Sequence, residues 1–334
     1  MNSPKPVRTK SGSMNASFHL IGFLYKYGTI LTILLLIAVF GAMSSSFLQP
    51  TNIINILRSI SIVTIIATGI TISLTVGGFD LSVGSTASIA NAFVISMFVW
   101  HGLNVPAGIV LTLLVCLAVG VVNSFFIVKF KIQDMLITLA MMFVFQGIAL
   151  TYTRGATISQ NMIMPDGNFA TGQIPALFGK IGQVPWIIVI MLTIVVLVHL
   201  FLTYTKHGRF MYVIGGNMEA AKLSGIPVNR YRVLAYLLSA LFAAIGGIIL
   251  GARVMTAEVN AGAPYLMDAV AAAFIGFSVL GAGKPNAIGT FVGAVLIGIL
   301  QNGLVMLSVP YYAMDIVKGA VLAFALAITY YRRN

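Results

Sequence analysis

The 334-residue sequence predicts an all-α integral membrane protein with about ten spanning helices. Three observations carry that prediction. First, 59% of the residues are hydrophobic and only 8% are charged, with a mean hydropathy of +1.01. Soluble domains hold about 25% charged residues, so most of this chain must be solvated by a lipid bilayer. Second, the apolar residues fall in runs close to the roughly 20 residues that cross a hydrocarbon core of about 30 Å. Third, the lysines and arginines are unevenly divided among the segments that join those runs.

Taken in order, residues 1–27 read as a cytoplasmic N-terminal tail. The tail is polar and basic, and it lacks the compact charged start, apolar middle and cleavage site of a secretory signal. Spans are expected at 28–44 and 59–76, and a third at 84–100. Between the second and third stands VGGFDLSVGS, residues 76–85. Gly77 and Gly78 let the backbone leave the helix. Asp80 or Ser82 can cap the helix that restarts near 84, and Asp80, Ser82 and Ser85 are expected to satisfy the freed backbone. Non-helical backbone at membrane depth is tolerated only inside protein or beside water, and broken helices mark substrate paths in transporters. The interruption near 77–85 thus has two readings, a capped connector or a wall of a translocation path.

The fourth span, 105–128, holds Cys116, the only cysteine. An intrachain disulfide and a cysteine-rich metal site are therefore excluded. The fifth span, 134–153, opens on Asp134, expected as a cap at the positive end of the helix dipole. An outer loop rich in Gly, Asn and Gln follows at 154–183, then the sixth span at 184–203. A basic inner loop, 204–232, leads to the seventh span at 233–252. The eighth, 268–282, opens on Asp268, again expected as a cap. Like the third it holds Gly, Ser and Ala more than Leu, which suits contact with other helices. The ninth and tenth are expected at 286–308 and 310–330. On the last, Asp315 and Lys318 are three apart and can neutralise each other. Gly247-Gly251 and Gly289-Gly293 have the spacing of close helix contacts. AVGVVNSFF (118–126) faintly echoes LIGILQNGL (296–304), as duplicated halves would.

With ten spans and the N-terminus inside, Arg58, Arg154, Lys180 and Arg253 fall outside and Lys318 falls within the last span. The other fourteen of the nineteen lysines and arginines fall on the cytoplasmic side. Cytoplasmic loops carry such an excess, so both termini are expected inside, with a single membrane domain over 28–331. The net charge of +12 then has a topological cause, and nucleic acid is not expected as a partner.

Enzyme chemistry is not expected. A phosphate-binding loop needs Lys and then Ser or Thr after its second glycine. The closest string, GFSVLGAGKPN (276–286), has Ala282 in the lysine position and Pro285 after Gly283-Lys284, and is expected to be a turn. His19, His101, His199 and His207 are scattered, and HExxH and GxSxG are absent. No catalytic residue, cofactor or metal is predicted. The seven acids are Asp80, Asp134, Asp166, Glu219, Glu258, Asp268 and Asp315. Acids inside a membrane are functional candidates, but few of these stand unpaired in mid-span. That argues against a proton- or sodium-coupled carrier.

The inner loop contains IGGNMEAAKLSGIPVNRYR, 214–232. A helix-forming patch, Glu219-Ala220-Ala221, is broken at Gly225 and ended by Pro227, with Lys222, Arg230 and Arg232 around it. A short exposed helix between two spans suits docking to a partner.

Four strings in order are similar to those of a known family: GGFDLSVGS, IGGNMEAAKLSGIPV, GAPYLMDAVAAAFIGFSVLGAGKPNAIGTFVGAVLIGILQNGL and YYAMDIVKGAVL. Together they resemble the permease subunits of ribose-type sugar importers powered by ATP-binding cassettes, within the branched-chain amino acid and ribose permease superfamily. The resemblance runs from about residue 28 to 331. It implies a multi-pass subunit of the bacterial cytoplasmic membrane that forms the uptake path for a ribose-like monosaccharide. It also implies a second permease copy (identical or related), ATP-binding cassette ATPase subunits beneath, and an extracytoplasmic sugar-binding protein that delivers and mainly selects the substrate. Glu219, Ala220, Ala221 and Gly225, with Lys222 among them, match the spacing of the family's coupling helix. Ile226-Pro227 comes earlier than the Ile-x-x-Pro ending of other importer families. Branched-chain amino acids or nucleosides in the same architecture are the alternative substrates, and a stand-alone secondary carrier is the alternative mechanism.

Overall fold

A computed structural model describes residues 12–164, 167–279 and 283–330. Among the described residues the regular structure is helical, apart from two isolated β-bridges, Ile158–Ala257 and Ile163–Phe169. The helices are α1 (Gly12–Met43), α2 (Pro50–Thr75), α3 (Val83–Val99), α4 (Val105–Lys129), α5 (Asp134–Thr153), α6 (Ala176–Ile181) and α7 (Trp186–Tyr204). They continue with α8 (Lys206–Gly216), α9 (Met218–Leu223), α10 (Val228–Val254), α11 (Ala263–Ser278), α12 (Ala287–Met306) and α13 (Tyr311–Tyr330). Among the described residues six are long and apolar enough to cross a membrane: α2, α4, α5, α7, α10 and α12. Shorter apolar stretches occupy Tyr27–Met43, Val83–Val99 and Ala263–Phe277.

Several boundaries differ from the sequence-based expectation, each for a physical reason. The first helix runs back to Gly12, so much of the expected tail continues α1. Helix α2 starts at Pro50, not 59, because proline in the first turn loses no hydrogen bond there. It carries Arg58 on its length instead of leaving it in a loop. Helix α11 starts at Ala263, with a proline in its first turn. Asp268 therefore lies in its interior and caps nothing. The inner loop is mostly helical, holding α8, α9 and the start of α10.

The expected cap by Asp134 is not made either. The N-cap of α5 is Gln133, without a side-chain bond. The Asp134 carboxylate is held instead by Arg232 and Tyr236 of α10. Removing either charge of the Asp134–Arg232 pair would leave the other uncompensated in a largely buried place, which is strongly destabilising. Lys318 is shared: its Nζ lies 3.4 Å from both Asp268 oxygens and 3.8 Å from Asp315. Asp166, part of the 276–286 turn, and the C-terminal arginines lie outside the described residues.

Helix α3 is buried along nearly its whole length, as its small residues led one to expect. Helix α10 crosses it where a Cβ on Gly247 would strike the Ala87 carbonyl and lie 2.7 Å from the Ala90 methyl. Helix α12 approaches α11 likewise, where a Cβ on Gly293 would lie 3.0 Å from Ala272 Cα. Both glycine pairs are therefore packing contacts. Helices α4, α5 and α7 turn large apolar side chains outward, including Leu114, Phe143 and Leu197. That is the polarity of a lipid-facing surface.

Candidate functional site

Three places on this scaffold could serve transport: the break after α2, the α8–α9 segment, and a cavity at the far end of α10. The break begins with a Schellman ending. Gly77 sits at φ +74°, its N–H donates to Leu74 O at 3.1 Å, and Gly78 N–H donates to Ser73 O at 3.0 Å. Only glycine takes that backbone conformation without strain. The chain then crosses the protein interior without helix until Val83.

Asp80, 1% exposed, is the hub of that crossing. Its Oδ1 accepts from Ser82 N–H at 2.9 Å and Ser82 Oγ–H at 2.7 Å. Its Oδ2 accepts from Ser239 of α10 at 2.7 Å. Asn123 of α4 donates to Ser82 Oγ at 2.7 Å. Thr138 of α5 accepts from Leu81 N–H at 3.2 Å and stands 2.9 Å from Phe79 O. Ser85 Oγ donates to Ser82 O at 2.8 Å. Asp80 thus bonds a freed backbone N–H, whereas the Ser82 carbonyl that Ser85 meets already accepts from Thr86 N–H in the first turn of α3. The cap expected of Ser82 is not made, because its hydroxyl is engaged by Asp80 and Asn123. A second knot adjoins this one. A Cβ on Gly78 would lie 2.6 Å from the Asp134 carboxylate, beside the Tyr236 hydroxyl. Gly78 is what allows the Asp134–Arg232–Tyr236 group to close over the break.

The α8–α9 segment repeats the same backbone device at the surface. Asn217 caps α9 by accepting from Ala220 N–H at 2.9 Å. Gly225 sits at φ +76°, its N–H donates to Lys222 O at 2.9 Å, and Ile226 N–H donates to Ala221 O at 3.0 Å. Ala221 is buried, whereas Leu223 is 90% exposed. Glu219 and Lys222 pair at 2.6 Å on the exposed face. Helix α8 ties this segment inward. Tyr212 donates to Pro285 O at 2.7 Å, and burial pushes its phenol up to about 12, so it remains a donor at neutral pH. Lys284 lies 4.7 Å over the Tyr212 ring. Gly215 abuts the break itself: a Cβ there would collide with the Thr75 carbonyl and lie 3.1 Å from Gly77 N.

The cavity measures about 850 Å³ and lies among α2, α3 and α10–α13. Arg253 and Val254, at the end of α10 remote from α9, are in its wall. Polar wall residues include Asn91, Tyr265, Asp268, Gln301 and Lys318. Gly77, Gly78, Asp80, Ser82 and Ser85 do not line it. Sequence reasoning missed this cavity and the partners of Asp80. Ser239 stands as an isolated polar residue and Asn123 with Ser124 as a polar pair inside apolar runs, which was an available signal. Which of them faces Asp80 depends on helix packing.

A family model described as branched-chain amino acid transport system / permease component matches residues 52–326. The chain is 35% identical over 313 residues to the ribose import permease protein RbsC of Bacillus subtilis (strain 168), covering 93% of this chain and 94% of that protein. It is 33% identical over 311 residues to the ribose import permease protein RbsC of Escherichia coli (strain K12), covering 92% and 94%. It is 30% identical to the xylose transport system permease protein XylH of Escherichia coli (strain K12), covering 84% and 85%. No solved structure matches the chain. With apolar helices throughout and most of its length matched, the chain is a multi-pass membrane protein and belongs to the branched-chain amino acid transport system permease component family.

Proposed function

We propose that the chain is the transmembrane permease subunit of an ATP-binding-cassette importer that takes up a ribose-like monosaccharide. Near-full-length similarity to ribose and xylose import permeases carries this reading and favours a sugar over branched-chain amino acids or nucleosides. The subunit itself is a transport component and not an enzyme. In this reading it crosses the membrane about ten times with both termini cytoplasmic and works with a second permease copy, ATPase subunits and an extracytoplasmic sugar-binding protein. Its domain is 28–331, preceded by a cytoplasmic tail at 1–27.

Energy enters through α9. Glu219, Ala220, Ala221, Lys222 and Gly225 form the coupling helix, and the exposed Leu223 is the apolar contact it offers an ATPase groove. The backbone contact of Gly215 with Thr75 and Gly77 supports motion passing from there to the break at Gly77–Ser85. The break transmits that motion as a rigid unit, because Asp80 joins α3 to α10 and its partner Ser82 joins α4. Such rigid-body rearrangement is how access alternates around a path.

The test is uptake by vesicles holding the chain with its ATPase and binding protein. ATP-dependent accumulation of a pentose, but not of leucine or adenosine, is the expected result. Uptake of solute by the chain alone, without ATP, would overturn the importer reading in favour of a secondary carrier.

A further inference from the structure

We infer that the cavity among α2, α3 and α10–α13 is a binding station for a neutral polyhydroxyl solute, with Asp268, Lys318, Gln301 and Asn91 as its hydrogen-bonding groups. The inference rests on the sugar-import reading and adds to it a position and a set of contacts. At about 850 Å³ the cavity is within the range of small-molecule sites, roughly 300–1,000 Å³. Much of its wall is apolar, including Val63, Leu250 and Ile297, and polar groups are placed at intervals, as in such sites.

The polar groups have capacity to spare. Charge-assisted N–H···O bonds measure about 2.7–2.9 Å, whereas Lys318 Nζ stands 3.4 Å from each Asp268 oxygen. The two groups neutralise one another without using up their lone pairs and protons. The Asn91 side-chain carbonyl, in a residue 1% exposed, has no hydrogen-bond partner among the described residues. A buried acceptor left unpaired costs roughly 1–3 kcal/mol, which a ligand hydroxyl can offset. Gln301 adds both a donor and an acceptor.

The charges around Lys318 suit a neutral ligand at that end of the cavity. Asp268 is already faced by Lys318, and Asp315 lies 3.8 Å from the same ammonium. Arg253 and Glu258 also stand in the wall, but at the Asp268–Lys318 end an amino acid would have to part these ions to seat its own charges. A neutral polyol instead inserts hydroxyls that donate to Asp268 and Asn91 and accept from Lys318 and Gln301. The position also fits. The cavity lies at the end of α10 away from the α8–α9 segment, which is the outer half in a protein with a cytoplasmic coupling helix.

The experiment is vesicle uptake of ribose and of its 2-deoxy and 3-deoxy analogues, by complexes containing the parent chain, Asp268→Asn, Lys318→Gln or Gln301→Leu. Assembly is checked by ATP turnover of the complete complex. Asp268→Asn and Lys318→Gln are expected to lower ribose uptake about tenfold or more, the effect of losing one charge-assisted bond. At least one deoxy sugar should lose less, because side chain and hydroxyl in contact are not additive. Gln301→Leu, on an exposed position that leaves the ion pair intact, should show a smaller loss of the same kind. Parental uptake in all three variants overturns the station, as does an equal loss for every sugar. If the parent complex imports pentoses while the station fails, the importer reading stands. If the parent imports no sugar, both fall.

Discussion

The chain builds the same helix ending twice, once where it enters the protein interior and once at the surface. At Ser73–Gly78 and at Ala221–Ile226 a glycine at positive φ lets two N–H groups turn back onto the last turn of a helix. After Gly77 the next polar residue, Asp80, is enclosed and takes three hydrogen bonds. At Gly225 a Cβ would meet nothing within 4 Å, and the Glu219–Lys222 pair stands in solvent. The backbone chemistry is shared, so the difference in surroundings decides what each segment can do. The enclosed ending fixes four helices relative to one another. The open one leaves a helix face free to meet another protein.

Substitution of Asp80 tests the enclosed segment most severely. Asp80→Leu should strand the Ser82 and Ser239 hydroxyls and the Ser82 N–H. At roughly 1–3 kcal/mol for each unsatisfied group, little folded protein should survive detergent extraction, as measured by size-exclusion recovery and thermal midpoint. Asp80→Asn, which keeps one acceptor, should recover most of it. Equal behaviour of the two variants would reduce the segment to a connector.

Next in size is Gly78→Ala, whose methyl would press on the Asp134–Tyr236 contact. Overpacking of this kind costs about 1–3 kcal/mol, so a lowered thermal midpoint is expected. The same change at Gly225 meets no neighbour and should cost only the backbone strain, about 1 kcal/mol. A larger loss at Gly225 than at Gly78 would reverse the assignment of which ending is enclosed.

The smallest effect on stability belongs to Glu219→Ala. An exposed ion pair contributes about 0–1 kcal/mol, so the thermal midpoint should hardly move. Uptake should nevertheless fall while ATP hydrolysis by the assembled complex continues, if α9 is the coupling helix. Unchanged uptake would remove Glu219 from that role.

Much of this was legible in the residues. The apolar runs located the long helices, the third shifted by one residue at each end and α2 and α11 starting nine and five residues early, because length and hydropathy are local properties. Gly77-Gly78 and Gly225 announced their turns, since only glycine accepts positive φ cheaply. The caps expected of Asp134 and Asp268 failed because both helices begin earlier than a cap there requires, α5 with Gln133 as its N-cap and α11 at Ala263. The two carboxylates are met instead by Arg232 and Lys318 from neighbouring helices, which no local pattern at the helix start records.

By itself, then, the sequence determined the membrane class, the order of the helices, the glycine breaks and the family resemblance, all of which depend on composition and near neighbours along the chain. Tertiary structure alone decided that Ser239 bonds Asp80 directly, that Asn123 joins through Ser82 and Thr138 through the flanking backbone, that Gly215 rests on Gly77, and that Asn91, Asp268 and Lys318 share one cavity. Residues far apart along the chain meet only through the rotation and crossing of packed helices. Those are set by which small residues allow close approach, and no local pattern records the partner.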